Sequence, residues 1–185
     1  MDKILFINAC IRPDSRTLEL AETLLQTLNG HIQEVVLQEK QLPTLDLEGM
    51  QKRNQAAQAQ DFSDPIFDAA KQFAAADIIV IAAPYWDLMF PAVVKTYLEN
   101  ITVSGITFRY GENGIPQGLC RAKRLIYVTT AGGPIFQNYG YEYIKALAQG
   151  FYGIPDVSLV RAEGLDIRGA DPEAIMTRAK MEIFA

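Results

Sequence analysis

Three short stretches hold most of the residues whose types and spacing could do chemistry. The first is INACIRPDSRT at positions 7–17, where Ser15 and Thr17 flank Arg16 just ahead of a leucine-rich run. Hydroxyls at the start of a helix can donate to an anion, the first free N–H groups point the same way, and the helix dipole favours negative charge. Arg12 or Arg16 can add positive charge. The stretch has no glycine and so matches neither GxGxxG nor GxxxxGK(S/T); the plainer alternative makes Ser15 only an N-cap.

The second stretch, PYWDLMFP at Pro84–Pro91, gathers the only Trp with Tyr85 and Phe90. An aromatic wall of this kind suits a planar heterocycle, the alternative being core packing. The third, TTAGGP at Thr129–Pro134, has two glycines that let a backbone approach a ligand and leave N–H groups free to donate; the alternative is a glycine turn. Phosphate donors, an aromatic wall and amide donors for a ring edge together describe a site for flavin mononucleotide (FMN).

Other reactive residues are few. Cys10 could be a nucleophile, but no His lies near it in sequence and a small buried hydrophobe is the better reading. Cys10 and Cys120 have neither CxxC spacing nor the density of a disulfide scaffold, and read as reduced thiols. The single histidine, His31, falls at a strand start and reads as a surface or edge residue. A carboxylate pair of Asp87 with Glu112 has nothing to set its separation.

These stretches need a framework to hold them. The chain has 185 residues, 49% hydrophobic and 21% charged, enough for one core and a single domain over 1–185. A net charge of −5 without clustered Lys or Arg gives no footprint for nucleic acid. MDKILFINA is too brief for a signal peptide and no run is long enough for a membrane span, so a cytoplasmic protein without a membrane partner is expected.

Apolar runs at Lys3–Ile7, Ile32–Leu37, Asp77–Ala83, Arg124–Thr130 and Val157–Val160 read as five strands. Between and after them, helical spacing places helices over Leu18–Leu28, Ile66–Ala76, from Pro91 through Ile101, Tyr141–Tyr152 and Pro172–Phe184. This alternation predicts an α/β fold, a doubly wound parallel sheet with helices on both faces; one common order for such a sheet is 2-1-3-4-5. Ligands then bind beyond the carboxyl ends of the strands, between strands one and three. Two stretches interrupt the pattern: Gln51–Gln60, read as a mobile excursion or irregular helix, and Ile106–Leu119, a small hairpin turning at Glu112-Asn113-Gly114.

The order of Ser15-Arg16-Thr17, AAPYWDLMFPAVVKTYLENI at 82–101, TFRYGENG at 107–114 and TTAGG at 129–133 resembles the FMN-dependent NAD(P)H quinone and azo reductases of flavodoxin-like fold, over nearly the whole chain. The second and third blocks carry the specificity. The resemblance implies that Ser15 and Thr17, with Arg16 beside them, hold the FMN phosphate. It places Pro84, Tyr85, Trp86 and Leu88 against the isoalloxazine and ribityl chain, with Thr130, Gly132 and Gly133 at the pyrimidine edge. It further implies hydride transfer from NADH or NADPH to flavin N5, ping-pong passage of reducing equivalents to a quinone, azo or nitro acceptor, no catalytic side chain, no metal, and a homodimer.

Two departures stand out: Asp87 where many relatives have Asn, and Ala9-Cys10 where many have a hydroxyl residue. An ionised Asp can only accept, so an Asp87 facing the ring would disfavour the reduced flavin. Two rivals remain on sequence grounds, a flavodoxin-like electron carrier and a flavin-free binding or regulatory module of the same fold. The modest charge and the hairpin favour the reductase over the carrier.

Overall fold

Alternate side chains of the first strand, β1 (Asp2–Asn8), enter two different cores, which is why its apolar run is continuous rather than alternating. In the computed structural model, which describes residues 1–184, Leu5 and Ile7 belong to one buried cluster and Ile4 and Phe6 to the other. β1 pairs in parallel with β2 (Gly30–Val36) on one side and β3 (Ile78–Ala82) on the other. The chain also forms a two-stranded hairpin, β4 (Phe108–Tyr110) with β5 (Pro116–Gly118), before the last two strands of the main sheet, β6 (Arg124–Thr130) and β7 (Asp156–Ala162). The order β2-β1-β3-β6-β7 is the expected doubly wound order.

Helices α1 (Arg16–Thr27) and α6 (Pro172–Ile183) cover one face, through Leu20, Ala21 and Leu24 of α1 and Met176 and Ala179 of α6. The other face is covered by α3 (Asp68–Ala75), α4 (Ala92–Ile101) and α5 (Tyr139–Leu147), whose Phe73, Tyr97, Leu98 and Ile144 are all buried. Pro91 stands just outside α4 with extended backbone, ψ 146°, rather than in its first turn. α5 starts earlier than its apolar periodicity suggests, because the Asn138 side chain caps it by accepting the Tyr141 N–H at 2.9 Å, and it ends in a π turn over Ala148–Tyr152.

The polar stretch 51–60 is the clearest departure from the sequence reading. It lies in a regular helix, α2 (Leu47–Ala59), with no buried residue. The helix is held by its cap and by side-chain anchors: Asp46 accepts the Gly49 N–H at 2.8 Å, the Arg53 guanidinium donates to the last-turn carbonyls of α4, Glu99 at 2.8 Å and Asn100 at 3.1 Å, and Lys52 pairs with Asp64 at 2.6 Å. Without a buried stripe it has no apolar period to read. The hairpin turns where expected, Gly114 taking φ +75°.

Candidate functional site

The carboxyl ends of β1, β3 and β6 open onto a cavity of about 340 Å³ at the place where the strand order reverses. Ser15, Arg16 and Thr17 line it from the start of α1, Pro84, Tyr85 and Trp86 from the loop after β3, Thr130 from the end of β6 and Gly132 from the loop that follows. Asp87, Leu88 and Gly133 lie outside the lining. The loops are tied together by backbone: the Tyr85 N–H donates to the Thr130 carbonyl at 3.0 Å, and the Tyr139 N–H to the Leu88 carbonyl at 3.1 Å. The Tyr85 hydroxyl donates to the Gln137 carbonyl at 2.8 Å.

At the α1 end, Ser15 is a cap and still has a proton to give. Its Oγ accepts the Leu18 N–H at 3.2 Å, which leaves the hydroxyl hydrogen to be shared between Cys10 and a ligand in the cavity. The N–H groups of Arg16 and Thr17 lie in the first turn, where a helix cannot pair them internally. Thr17 is 1% exposed, and its Oγ1 lies 2.6 Å from that of Thr130. One hydroxyl of that pair donates to the other, so a single hydroxyl hydrogen remains for a ligand. Arg12 and Arg16 bring positive charge to the wall, Asp14 and Asp166 negative charge.

The wall after β3 holds a backbone device. Trp86 and Met89 exchange both backbone hydrogen bonds, at 3.0 and 2.8 Å, around Asp87 at φ +50° and Leu88 at φ +69°. Reciprocal bonds around two positive φ values are the arrangement of a type I′ turn. Asp tolerates this region through its short polar side chain, whereas a leucine held there costs roughly 1–2 kcal/mol. Asp87 is exposed and outside the cavity lining. We therefore expect Asp87→Asn to leave both FMN affinity and the flavin midpoint potential unchanged, while Asp87→Val costs about 1–2 kcal/mol of stability. Flavin titration, spectroelectrochemistry and denaturant unfolding check this; a clear shift of midpoint in Asp87→Asn would put the carboxylate at the ring.

Sequence reasoning missed Asp166 and Leu165. They belong to the loop after β7, and they reach the cavity because β7 pairs with β6. The Asp166 N–H donates to the Gly132 carbonyl at 2.8 Å, and its carboxylate accepts from Arg16 Nη1 at 2.9 Å. A Cβ at Gly132 would stand 2.3 Å from Asp166 Oδ2, so glycine here admits a neighbouring carboxylate. Gly133 faces open space. The signal was present in GLDIRG at 164–169, a polar and glycine-rich loop between the fifth strand and the last helix.

The thiols do not supply a nucleophile at neutral pH. Burial pushes Cys10 up from 9.0 to about 11, against a lowering hydrogen bond with Ser15, and pushes Cys120 up from 9.0 to about 12. The folded chain holds these protons more tightly than the unfolded one. The stability they contribute is therefore intact below pH 9 and is lost as pH rises through 11 to 12. Unfolding midpoints that fall between about pH 9 and 11, with a shallower fall in Cys10→Ala/Cys120→Ala, are the expected result.

Comparison with known proteins gives concordant similarities. The model of a family described as having the flavodoxin-like fold matches residues 2–184. An FMN-dependent NADH:quinone oxidoreductase 2 of Clostridium acetobutylicum is 35% identical, the match covering 95% of this chain and 93% of that protein. An FMN-dependent NADH:quinone oxidoreductase of Lachnoclostridium phytofermentans is also 35% identical, over 97% and 95%. Among solved structures, an azoreductase from Bacillus anthracis superposes with TM-score 0.85 at 26% identity, over 99% of this chain and 97% of that one. An FMN-dependent NADH-azoreductase from Bacillus anthracis, solved in complex with FMN, gives TM-score 0.80 at 25% identity, over 99% and 96%.

Proposed function

Because the chain belongs to the family of flavodoxin-like fold, we propose that it binds FMN in the cavity between the loops after β1, β3 and β6 and reduces quinones or azo and nitro acceptors with NADH or NADPH. The observation that carries this reading is the meeting of a phosphate-type donor set with an aromatic pair in one cavity. Ser15, Arg12, Arg16 and the free N–H groups of α1 stand at one part of the wall, Tyr85 and Trp86 at another. The donor set suits a terminal phosphate dianion, and a cavity of about 340 Å³ falls within the range of small-molecule sites. The related quinone oxidoreductases and azoreductases support the same assignment.

The chemistry that bound FMN supplies is two-electron exchange between a reduced nicotinamide and an acceptor. The chain's own residues bind and orient. Ser15, Thr17 and the two arginines neutralise and fix the phosphate, and Pro84, Tyr85 and Trp86 present an apolar surface to a flat ring. The Thr130–Gly132 segment offers polar backbone to the ring edge, with Gly133, Asp87 and Leu88 completing the loops. No side-chain acid or base is required. The same reading takes residues 1–185 as one domain of a cytoplasmic protein that acts as a homodimer. In support, Trp86 and Leu88 are 42% and 46% exposed and Phe136 is 86% exposed, an apolar rim that a second copy would cover. Among the described residues, no helix is long and apolar enough to cross a membrane.

An absorbance spectrum of the purified protein, followed by anaerobic NADH and then a quinone, tests the proposal. The expected result is a flavin spectrum that is bleached by NADH and restored by the quinone, with parallel double-reciprocal lines because both substrates use one cavity in turn. Failure to bind added FMN would refute it, and intersecting lines without mutual competition would argue for separate substrate sites. A monomer mass by light scattering with full activity would remove the dimer.

A further inference from the structure

The charges around the cavity cancel: Arg12 and Arg16 are matched by Asp14 and Asp166. This is unexpected at a place where a dianion is to bind. The pairing is specific at one point, because Asp166 Oδ1 accepts from Arg16 Nη1 at 2.9 Å while the first N–H groups of α1 stand beside that arginine. Asp166 is held from behind. Its N–H donates to the Gly132 carbonyl at 2.8 Å, the Leu165 N–H donates to the Ala131 carbonyl at 3.3 Å, and its carboxylate occupies the space that a side chain at position 132 would need. Both partners face water, the Arg16 and Asp166 side chains being 40% and 69% exposed, so the pair is weak and readily exchanged.

From this geometry we infer that Asp166 is a specificity-determining residue that acts through Arg16. Its carboxylate occupies the guanidinium donor, Arg16 Nη1, that a phosphate at the start of α1 would otherwise take, and so it competes with that phosphate. A flavin with a terminal phosphate displaces the carboxylate and recovers the Arg16 interaction. A flavin without a phosphate leaves the pair closed and gains nothing from it. The carboxylate thus sets how tightly phosphate-bearing ligands are held, keeping FMN exchangeable. The inference rests on the proposed FMN site, and concerns which group holds Arg16 before the phosphate arrives.

The test is titration of FMN and of riboflavin into the apoprotein, followed by flavin fluorescence, for the wild type and Asp166→Asn. The amide is isosteric, keeps an acceptor for Arg16, and leaves the backbone bonds to Gly132 in place. Asp166→Asn should tighten FMN by about 2- to 5-fold, the range of an exposed ion pair, and leave riboflavin unchanged. At about 0.5 M sodium chloride, where the screening length is roughly 4 Å, the gain should shrink. In an Arg16→Gln background the gain should be lost, since the arginine through which it acts is gone. Asp166→Ala serves if the Asn variant does not fold, with the same direction expected. Weaker FMN binding would overturn the inference and make Asp166 an orienter of Arg16; an equal change for both flavins would reduce it to packing; no change would also overturn it. If the wild type binds neither flavin, the FMN site itself is refuted, a result distinct from FMN binding with an unaltered preference.

Discussion

Replacing Ser15 and Thr17 together by alanine is expected to weaken FMN binding by about 1–3 kcal/mol, roughly 5- to 150-fold, and to destabilise the fold as well. The two effects have different origins. Ser15 donates from a hydroxyl whose oxygen already caps Leu18, so Ser15→Ala removes a donor from the ligand and about 1 kcal/mol of helix capping. Thr17 is buried, and its hydroxyl is shared with Thr130. Thr17→Ala leaves the Thr130 hydroxyl without that partner, which costs about 1–3 kcal/mol of stability. Changing both members of the pair, Thr17→Val with Thr130→Val, removes donor and acceptor at once and should cost little stability. Flavin titration and denaturant unfolding of the single and double variants separate these contributions. An unchanged FMN dissociation constant in Ser15→Ala would return Ser15 to being a cap alone.

Gly118→Ala is expected to destabilise the protein by about 2–3 kcal/mol while leaving flavin binding intact. A Cβ at Gly118 would lie 2.1 Å from the Tyr152 carbonyl carbon and 2.2 Å from the Gly153 nitrogen. These are backbone atoms, which cannot swing aside as a flexible side chain could. β5 would have to lift from the π turn that ends α5, straining the bond from the Cys120 N–H to the Tyr152 carbonyl at 3.3 Å. The hairpin contributes no residue to the cavity, so the loss should appear in unfolding and not in the flavin dissociation constant. Gly150→Ala is the control, because nothing lies within 4 Å of its added Cβ; equal losses at both positions would contradict the steric account.

The sheet was legible because burial on both faces writes strands as continuous apolar runs. β3 and β6 could be read directly, and the helices between them required parallel pairing. Once the order was known, the switch point followed, and with it the loops that bear Ser15, Tyr85 and Thr130. α2 was not legible in the same way. It is held by the Asp46 cap, by Arg53 reaching a helix distant in sequence and by the Lys52–Asp64 pair, none of which leaves a periodic trace.

Side-chain direction divides what the sequence determined from what tertiary structure decided. Residue types, the succession of strands and helices and the loops that follow each strand come from local patterning, because hydrophobic period and turn chemistry act over a few residues. That Asp87 sits at φ +50° outside the cavity lining depends on the bond pair between Trp86 and Met89. That the Thr17 hydroxyl pairs with that of Thr130, and that Arg16 meets Asp166, depends on contacts spanning 113 and 150 residues. Such pairs arise only when a parallel sheet places β1, β6 and β7 in one order and brings their carboxyl ends to one edge, and no local pattern along the chain records which distant residue will complete a hydrogen bond.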